Sequence, residues 1–227
     1  MATHLDLEEQ EQLDQLKSFW KQYGNLVTWL VIAALGAYAA WNGWNWWQRD
    51  QSVKAGAMYD ELDRAAQAGD ADKAGRVFAD LKERFPRTAF AEQGGLLAAK
   101  AQFEKGQADS AISTLAWVGE NASEAEYKTI ARLRLAGVLL DQKKYDEALK
   151  QLDAATAKDF EALVADRRGD VLLAQGKKEE AKAAFTTAWK AMDKTVEYRR
   201  LIEAKLIALG AAPEAEKPAT VAPGAAQ

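Results

Sequence analysis

Two hydrophobic patterns divide the chain. Between Lys21 and Arg49 no side chain carries a charge, and the centre of that stretch, Leu26 to Ala40, is Leu, Val, Ile and Ala with few interruptions. The uncharged run, Gln22 to Gln48, is 27 residues long, which fits a helix that crosses a bilayer and needs about 20. After Arg49 the apolar positions become periodic instead. Leu96 to Phe103, Ile130 to Leu140 and Leu163 to Leu173 place them at helical spacing, which predicts amphipathic helices with one face in a core. Ser123-x-x-Glu126 has the form of a capping box opening one of them. The expected fold is all-α: one N-terminal transmembrane helix, then a helical-hairpin solenoid.

The solenoid follows from self-similarity. Gly69-Asp70-Ala71-Asp72-Lys73-Ala74 with Phe78 aligns without gaps on Gly106 to Ala111 with Leu115, Lys143 to Ala148 with Leu152, and Gly176 to Ala181 with Phe185, at periods of 37, 37 and 33 residues. Gly69, Gly106 and Gly176 suit the left-handed conformation that ends a helix. The acid three residues on (Asp72, Asp109, Asp146, Glu179) stands at the positive end of the next helix. Ala74, Ala111, Ala148 and Ala181 let two helices touch, and the large residue four positions later fills the core. Lys143 breaks the glycine pattern, so that turn is expected to close differently. Gln51 to Ala66 reads as the first helix of the first pair, almost continuous with the span, and Val196 to Leu209 as the capping helix. The boundaries are therefore 1–21 for an acidic tail with an amphipathic lead-in, 22–48 for the span, 49–210 for the repeats and 211–227 for a disordered Ala/Pro-rich tail.

Tryptophan placement sharpens the membrane reading. Six of the eight, Trp20, Trp29, Trp41, Trp44, Trp46 and Trp47, fall in or beside the span, and all but Trp29 gather at its ends, where indole rings favour the lipid–water interface. A cleaved signal peptide is the rival, with Ala37-Tyr38-Ala39 as a cleavage pattern, but five acids precede the span against two lysines, the reverse of a signal sequence. A core helix would not be apolar on all sides for this length. Lys17 and Lys21 on one side and Arg49, Lys54 and Arg64 on the other leave orientation open. Ala33, Gly36, Ala40 and Gly43 form a small-residue face on which another helix could pack, although Gly and Ala are common in any membrane helix. Asn42 and Asn45 could bond a partner helix or water.

Composition then removes most chemistry. There is no cysteine and one histidine, His4, which excludes disulfides, thiol nucleophiles, zinc-thiolate sites and Ser/His relays. No phosphate-cradling glycine motif is present, and no cofactor or metal is expected. A net charge of −4 gives no global attraction for nucleic acid. Glu179-Glu180 and the acids Asp60, Glu61 and Asp63 have no nucleophile beside them and read as solvated faces. Arg168-Gly169-Asp170 spells an adhesion tripeptide but lies inside an expected helix, where Gly169 is more simply the small residue at a crossing. Lys143-Lys144, Arg167-Arg168, Lys177-Lys178 and Arg199-Arg200 could form a basic stripe, yet 28 basic and 29 acidic residues are interspersed after Gln48, as on any soluble repeat surface. The aromatic candidates for a peptide- or partner-binding groove are Trp117, Tyr127, Phe160 and Trp189, each of a type more often found in a core.

The repeat spacing resembles tetratricopeptide repeats, whose period is about 34 residues, with Lys144-Tyr145-Asp146-Glu147-Ala148-Leu149 close to the consensus opening of a second helix and Pro86 where a repeat ends. Nearly the whole chain resembles the bacterial ancillary Sec-translocon subunit family: the acidic tail, the lead-in Leu13-Asp-Gln-Leu-Lys-Ser-Phe-Trp-Lys-Gln-Tyr-Gly24, one span, and an Ala-rich array containing Phe85-Pro86-Arg87-Thr88-Ala89-Phe90-Ala91. Gly94-Gly95 departs from the pattern, standing where Ala would favour the helix by roughly 1 kcal/mol each. The resemblance implies an inner-membrane protein with a cytoplasmic N-terminus and a periplasmic repeat domain. It implies association with the Sec translocon and with a membrane-anchored periplasmic peptidyl-prolyl isomerase-like chaperone, and contact with emerging secretory chains. The function expected is a non-catalytic scaffold. A cytoplasm-facing regulatory adaptor and a signal-cleaved soluble periplasmic adaptor are the alternatives.

Overall fold

The computed structural model describes residues 7–212, with side chains from residue 11 onward. His4 and nearly all of the expected C-terminal tail lie outside the described residues, as does the first part of the acidic tail. The described chain is helical and divides after Val53 into two compact units. Helix α1 (Leu7–Gln67) contributes to both.

The first unit is the N-terminal part of α1. It is the one helix among the described residues long and apolar enough to cross a bilayer, and only 6% of its apolar window is buried. Trp41, Trp46 and Tyr38 are each about 70% exposed. Side chains this apolar have no protein partner here, so the surrounding medium must accept them. Two polar residues of the segment bond within the helix, Thr28 Oγ1 donating to the Gly24 carbonyl and Asn42 Nδ2 to that of Tyr38.

The second unit begins with the rest of α1 and continues as α2 (Ala71–Arg84), α3 (Ala89–Glu104), α4 (Ala108–Asn121), α5 (Ala125–Asp141), α6 (Tyr145–Asp153), α7 (Glu161–Ala174), α8 (Lys178–Ala191) and α9 (Tyr198–Ala208). Consecutive helices pack as hairpins, and the first helices of successive pairs, α3, α5 and α7, also touch. Five left-handed residues punctuate the array: Gly69, Lys143, Gly106, Gly176 and Gly210, with φ of 68°, 60°, 76°, 81° and 72°. Four follow the first helix of a pair and Gly210 follows α9, and each closes its helix the same way, its N–H reaching back three residues and the next N–H reaching back five. The expectation that Lys143 closes its turn differently is therefore incorrect: Lys143 and Lys144 bond the carbonyls of Leu140 and Leu139 just as Gly106 and Gln107 bond those of Phe103 and Gln102. Register, set by apolar positions on both sides of the turn, overrides the residue's own preference.

The capping box is not formed. Glu124, not Ser123, occupies the N-cap of α5 and makes no side-chain cap bond; the Ser123 N–H instead donates to buried Glu92 Oε1 at 2.6 Å. One repeat later the equivalent position is Thr129, whose Oγ1 accepts from the Ala157 N–H at 3.2 Å. A polar residue on a first helix thus supports the linker that leaves the following second helix. The glycine pair in α3 also acquires a reason. A Cβ on Gly95 would stand 2.3 Å from Val118 Cγ2 and 2.9 Å from the Phe78 ring, and one on Gly94 2.9 Å from Leu81 Cδ2. Close approach of α2, α3 and α4 offsets the lost helix propensity.

Candidate partner-binding groove

First helices carry the site. Lys100, Phe103 and Ala99 of α3 and Arg134, Gly137, Val138 and Asp141 of α5 enclose, with Leu115 and Arg167, a cavity of about 380 Å³. A second, of about 230 Å³, lies between α5, α7 and α9 and is lined by Ile130, Leu133, Phe160, Leu163, Asp166 and Tyr198. Arg134 and Arg167 border both cavities. Arg134, Gly137 and Asp141 stand at i, i+3 and i+7 on α5 and so share a helix face. The Arg167 guanidinium packs over Gly137, 3.7 to 3.8 Å from where a Cβ would stand.

A polar cluster closes the groove's far end. Asp166 is 2% exposed and accepts from Tyr198 Oη at 2.8 Å and from Lys205 Nζ at 2.8 and 2.9 Å. Lys205 also reaches Asp170 at 2.8 Å. Burial of the phenol, helped by its bond to Asp166, pushes the Tyr198 pKa up to about 12. The cluster fastens α9 to α7 and leaves the Asp166 charge already matched. The two arginines are less committed: Arg134 has a 3.3 Å bond to the Leu96 carbonyl, and Arg167 stands 3.9 Å from Asp170.

The aromatic residues singled out from sequence occupy different places. Phe160 lines the smaller cavity. Tyr127 is half-buried against the main core, its hydroxyl accepting from Gln93 Nε2 at 2.8 Å. Trp117 packs edge-on to Phe78 with ring centres 5.5 Å apart, and Trp189 is covered by the Arg199 guanidinium at 4.0 Å. The groove's cations were not in that aromatic set, yet a signal for them exists: Arg134 and Arg167 are 33 residues apart, the local repeat period, so they hold equivalent positions in successive first helices. In the first unit, an added Cβ at Gly36 or Gly43 would meet nothing within 4 Å, and Ala33 and Ala40 are exposed on the same helix. Among the described residues no group of three or more His, Cys, Asp or Glu is arranged to hold a metal.

Comparison with known proteins agrees with this architecture. Residues 17–211 match the family model of a tetratricopeptide repeat-like domain. The ancillary SecYEG translocon subunit of Neisseria gonorrhoeae is 34% identical over 210 residues, a match spanning 92% of this chain and 100% of that one. The proteins of the same description from Escherichia coli and Haemophilus influenzae are each 29% identical, over 87% and 80% of this chain and 95% and 89% of theirs. A near full-length match, running from the apolar helix through the hairpin repeats, makes this chain a member of the ancillary SecYEG translocon subunit family, with a tetratricopeptide repeat-like domain.

Proposed function

We propose that this protein is a non-catalytic inner-membrane scaffold that associates with the Sec translocon through its single span and offers the α3–α5–α7–α9 groove to a polypeptide in the periplasm. The occupant is an emerging secretory chain or a membrane-anchored peptidyl-prolyl isomerase-like chaperone. The observation that carries this reading is the pair of adjoining cavities on the first helices of an array whose chain also holds an unburied apolar helix. Anchoring at an export channel raises the local concentration of groove and client, so a weak site suffices and release stays fast. The small-residue face Ala33, Gly36, Ala40 and Gly43 is the docking surface within the membrane, since closely approaching helices gain packing and lose little side-chain entropy. Trp117 on α4 and Trp189 on α8 support the groove from behind, Tyr127 ties α5 to α3 through its bond with Gln93, and Phe160 contacts the client.

Two measurements test this. Protease added to spheroplasts should digest the repeat domain; protection would favour a cytoplasm-facing adaptor, the reading toward which the three cations after the span lean. Replacing Gly36 and Ala40 together by Leu should lower co-purification with the channel, and undiminished recovery would remove that face from the proposal.

A further inference from the structure

We infer that the groove selects an extended polypeptide bearing one carboxylate side chain flanked on both sides by apolar side chains, with Arg134 and Arg167 as its anion clamp. This rests on the groove reading above and gives it a substrate class. Each cavity has an apolar portion to its lining, Phe103, Leu115 and Val138 in one and Ile130, Leu133 and Leu163 in the other. Between them stand the two guanidiniums, which border both. Such an order of surfaces, apolar, cationic, apolar, is complementary to a segment that reads apolar, acidic, apolar.

The charge at the divide is what commits the groove to an anion. The chain as a whole carries −4, yet the larger cavity is bordered by Lys100, Arg134 and Arg167 against Asp141 alone. The Asp166 carboxylate on the other side is held by Lys205 and Tyr198. Neither arginine makes a close carboxylate pair among the described residues: the Arg167–Asp170 separation is 3.9 Å and the Arg134 bond goes to a backbone carbonyl at 3.3 Å. Two like charges on facing helices repel, and a carboxylate entering between them relieves that repulsion while accepting charge-assisted hydrogen bonds from planar donors. Recurrence at the repeat period makes the clamp a product of the array: two adjacent repeats must stack to create it. The partly open position of Arg167, whose side chain is 40% exposed, lets the pair engage a ligand without full loss of hydration.

The test uses the full-length protein in detergent micelles and a fluorescein-labelled synthetic decapeptide with the core Leu-Ser-Glu-Ser-Leu, its Gln counterpart and its Lys counterpart, read by anisotropy. The Glu peptide should bind about tenfold more tightly than the Gln peptide, and the Lys peptide more weakly still. That preference should shrink as salt rises. The double variant Arg134→Met, Arg167→Met should bring the Glu peptide down to the Gln level while leaving the Gln peptide's affinity within about twofold, and circular dichroism should confirm an unchanged helix content. Lys190→Met, at an exposed position of α8, should leave the preference intact. Equal binding of Glu and Gln peptides would overturn the clamp and leave the peptide groove standing; no binding of any peptide would overturn both.

Discussion

Gly95 and Gly169 show how little space the array leaves at its crossings. A Cβ on Gly169 would stand 2.5 Å from the ring of Phe185, which is fully buried and has nowhere to retreat. Gly95→Ala and Gly169→Ala should each destabilise the domain by about 1 to 3 kcal/mol despite Ala's better helix propensity, seen as a lower midpoint in denaturant. Lys143 presents the opposite case. A non-glycine residue at φ 60° costs about 1 kcal/mol, so Lys143→Gly should raise the midpoint by a comparable amount. The first expectation runs against helix propensity and the second follows it: glycine is needed inside two helices and is missing from one left-handed turn. The reason such positions escape sequence reading is that a steric demand belongs to the neighbour. Nothing in Gly94-Gly95 announces Val118, Phe78 and Leu81. Gly169 at a crossing was legible because the residues around it, Asp166 to Leu173, already fixed the helix.

At the scale of elements, α9 is attached by polar contacts as much as by Ile202 and Leu206. Lys205 Nζ bonds Asp166 and Asp170 across the α7–α9 contact, with the Asp166 side chain 3% exposed. Lys205→Met would leave that carboxylate buried with only the Tyr198 hydroxyl, a loss of about 3 kcal/mol in the docking of α9, measurable as faster amide exchange in α9 with α3–α5 unaffected. Tyr198 gives an independent reading. Its folded pKa lies above the unfolded 10.0, near 12; the native state therefore holds the phenolic proton longer, and this contribution to stability is complete below pH 10 and disappears as pH rises toward 12. A tyrosinate absorbance titration of the wild-type protein minus that of Tyr198→Phe should show one transition displaced upward from the ordinary range. A difference transition at about 10 would contradict the geometry. The hairpins themselves were legible in the sequence, because turn glycine, first-turn acid, contact alanine and core residue recur together. The latch was not. It joins Asp166 to residues 32 and 39 positions away, near the repeat length, and among the described residues no other repeat junction shows a buried acid held by both a lysine and a tyrosine.

For the whole molecule, the repeats are joined by a ladder as well as by their core. Gln107, Gln142 and Gln175 each donate to the first-turn acid of the preceding second helix, Asp72 at 2.7 Å, Asp109 at 3.4 Å and Asp146 at 3.2 Å. The acids therefore act twice, toward their own helix dipole and toward the next repeat. A continuous core runs from Leu62 of α1 to Val171 of α7, whereas Phe185, Ala188, Ile202 and Leu206 belong to a smaller cluster shared with α7. In a quasi-one-dimensional array stability is the sum of local and nearest-neighbour contributions, so the ends open first. Amide exchange should consequently be slowest in α3–α5 and fastest in α9. Asp109→Ala should lower protection on both sides of the α4–α6 junction by under about 1 kcal/mol, the scale of an exposed hydrogen bond. The same gradient bears on recognition. The clamp arginines sit on α5 and α7, where the continuous core reaches, while Tyr198 at the rim of the smaller cavity belongs to the end expected to open first. A bound acidic peptide that touches both cavities should slow exchange in α9 more than in α5, because the element with most opening to suppress gains most from a ligand. Protection confined to α5 would instead place the peptide in the larger cavity alone.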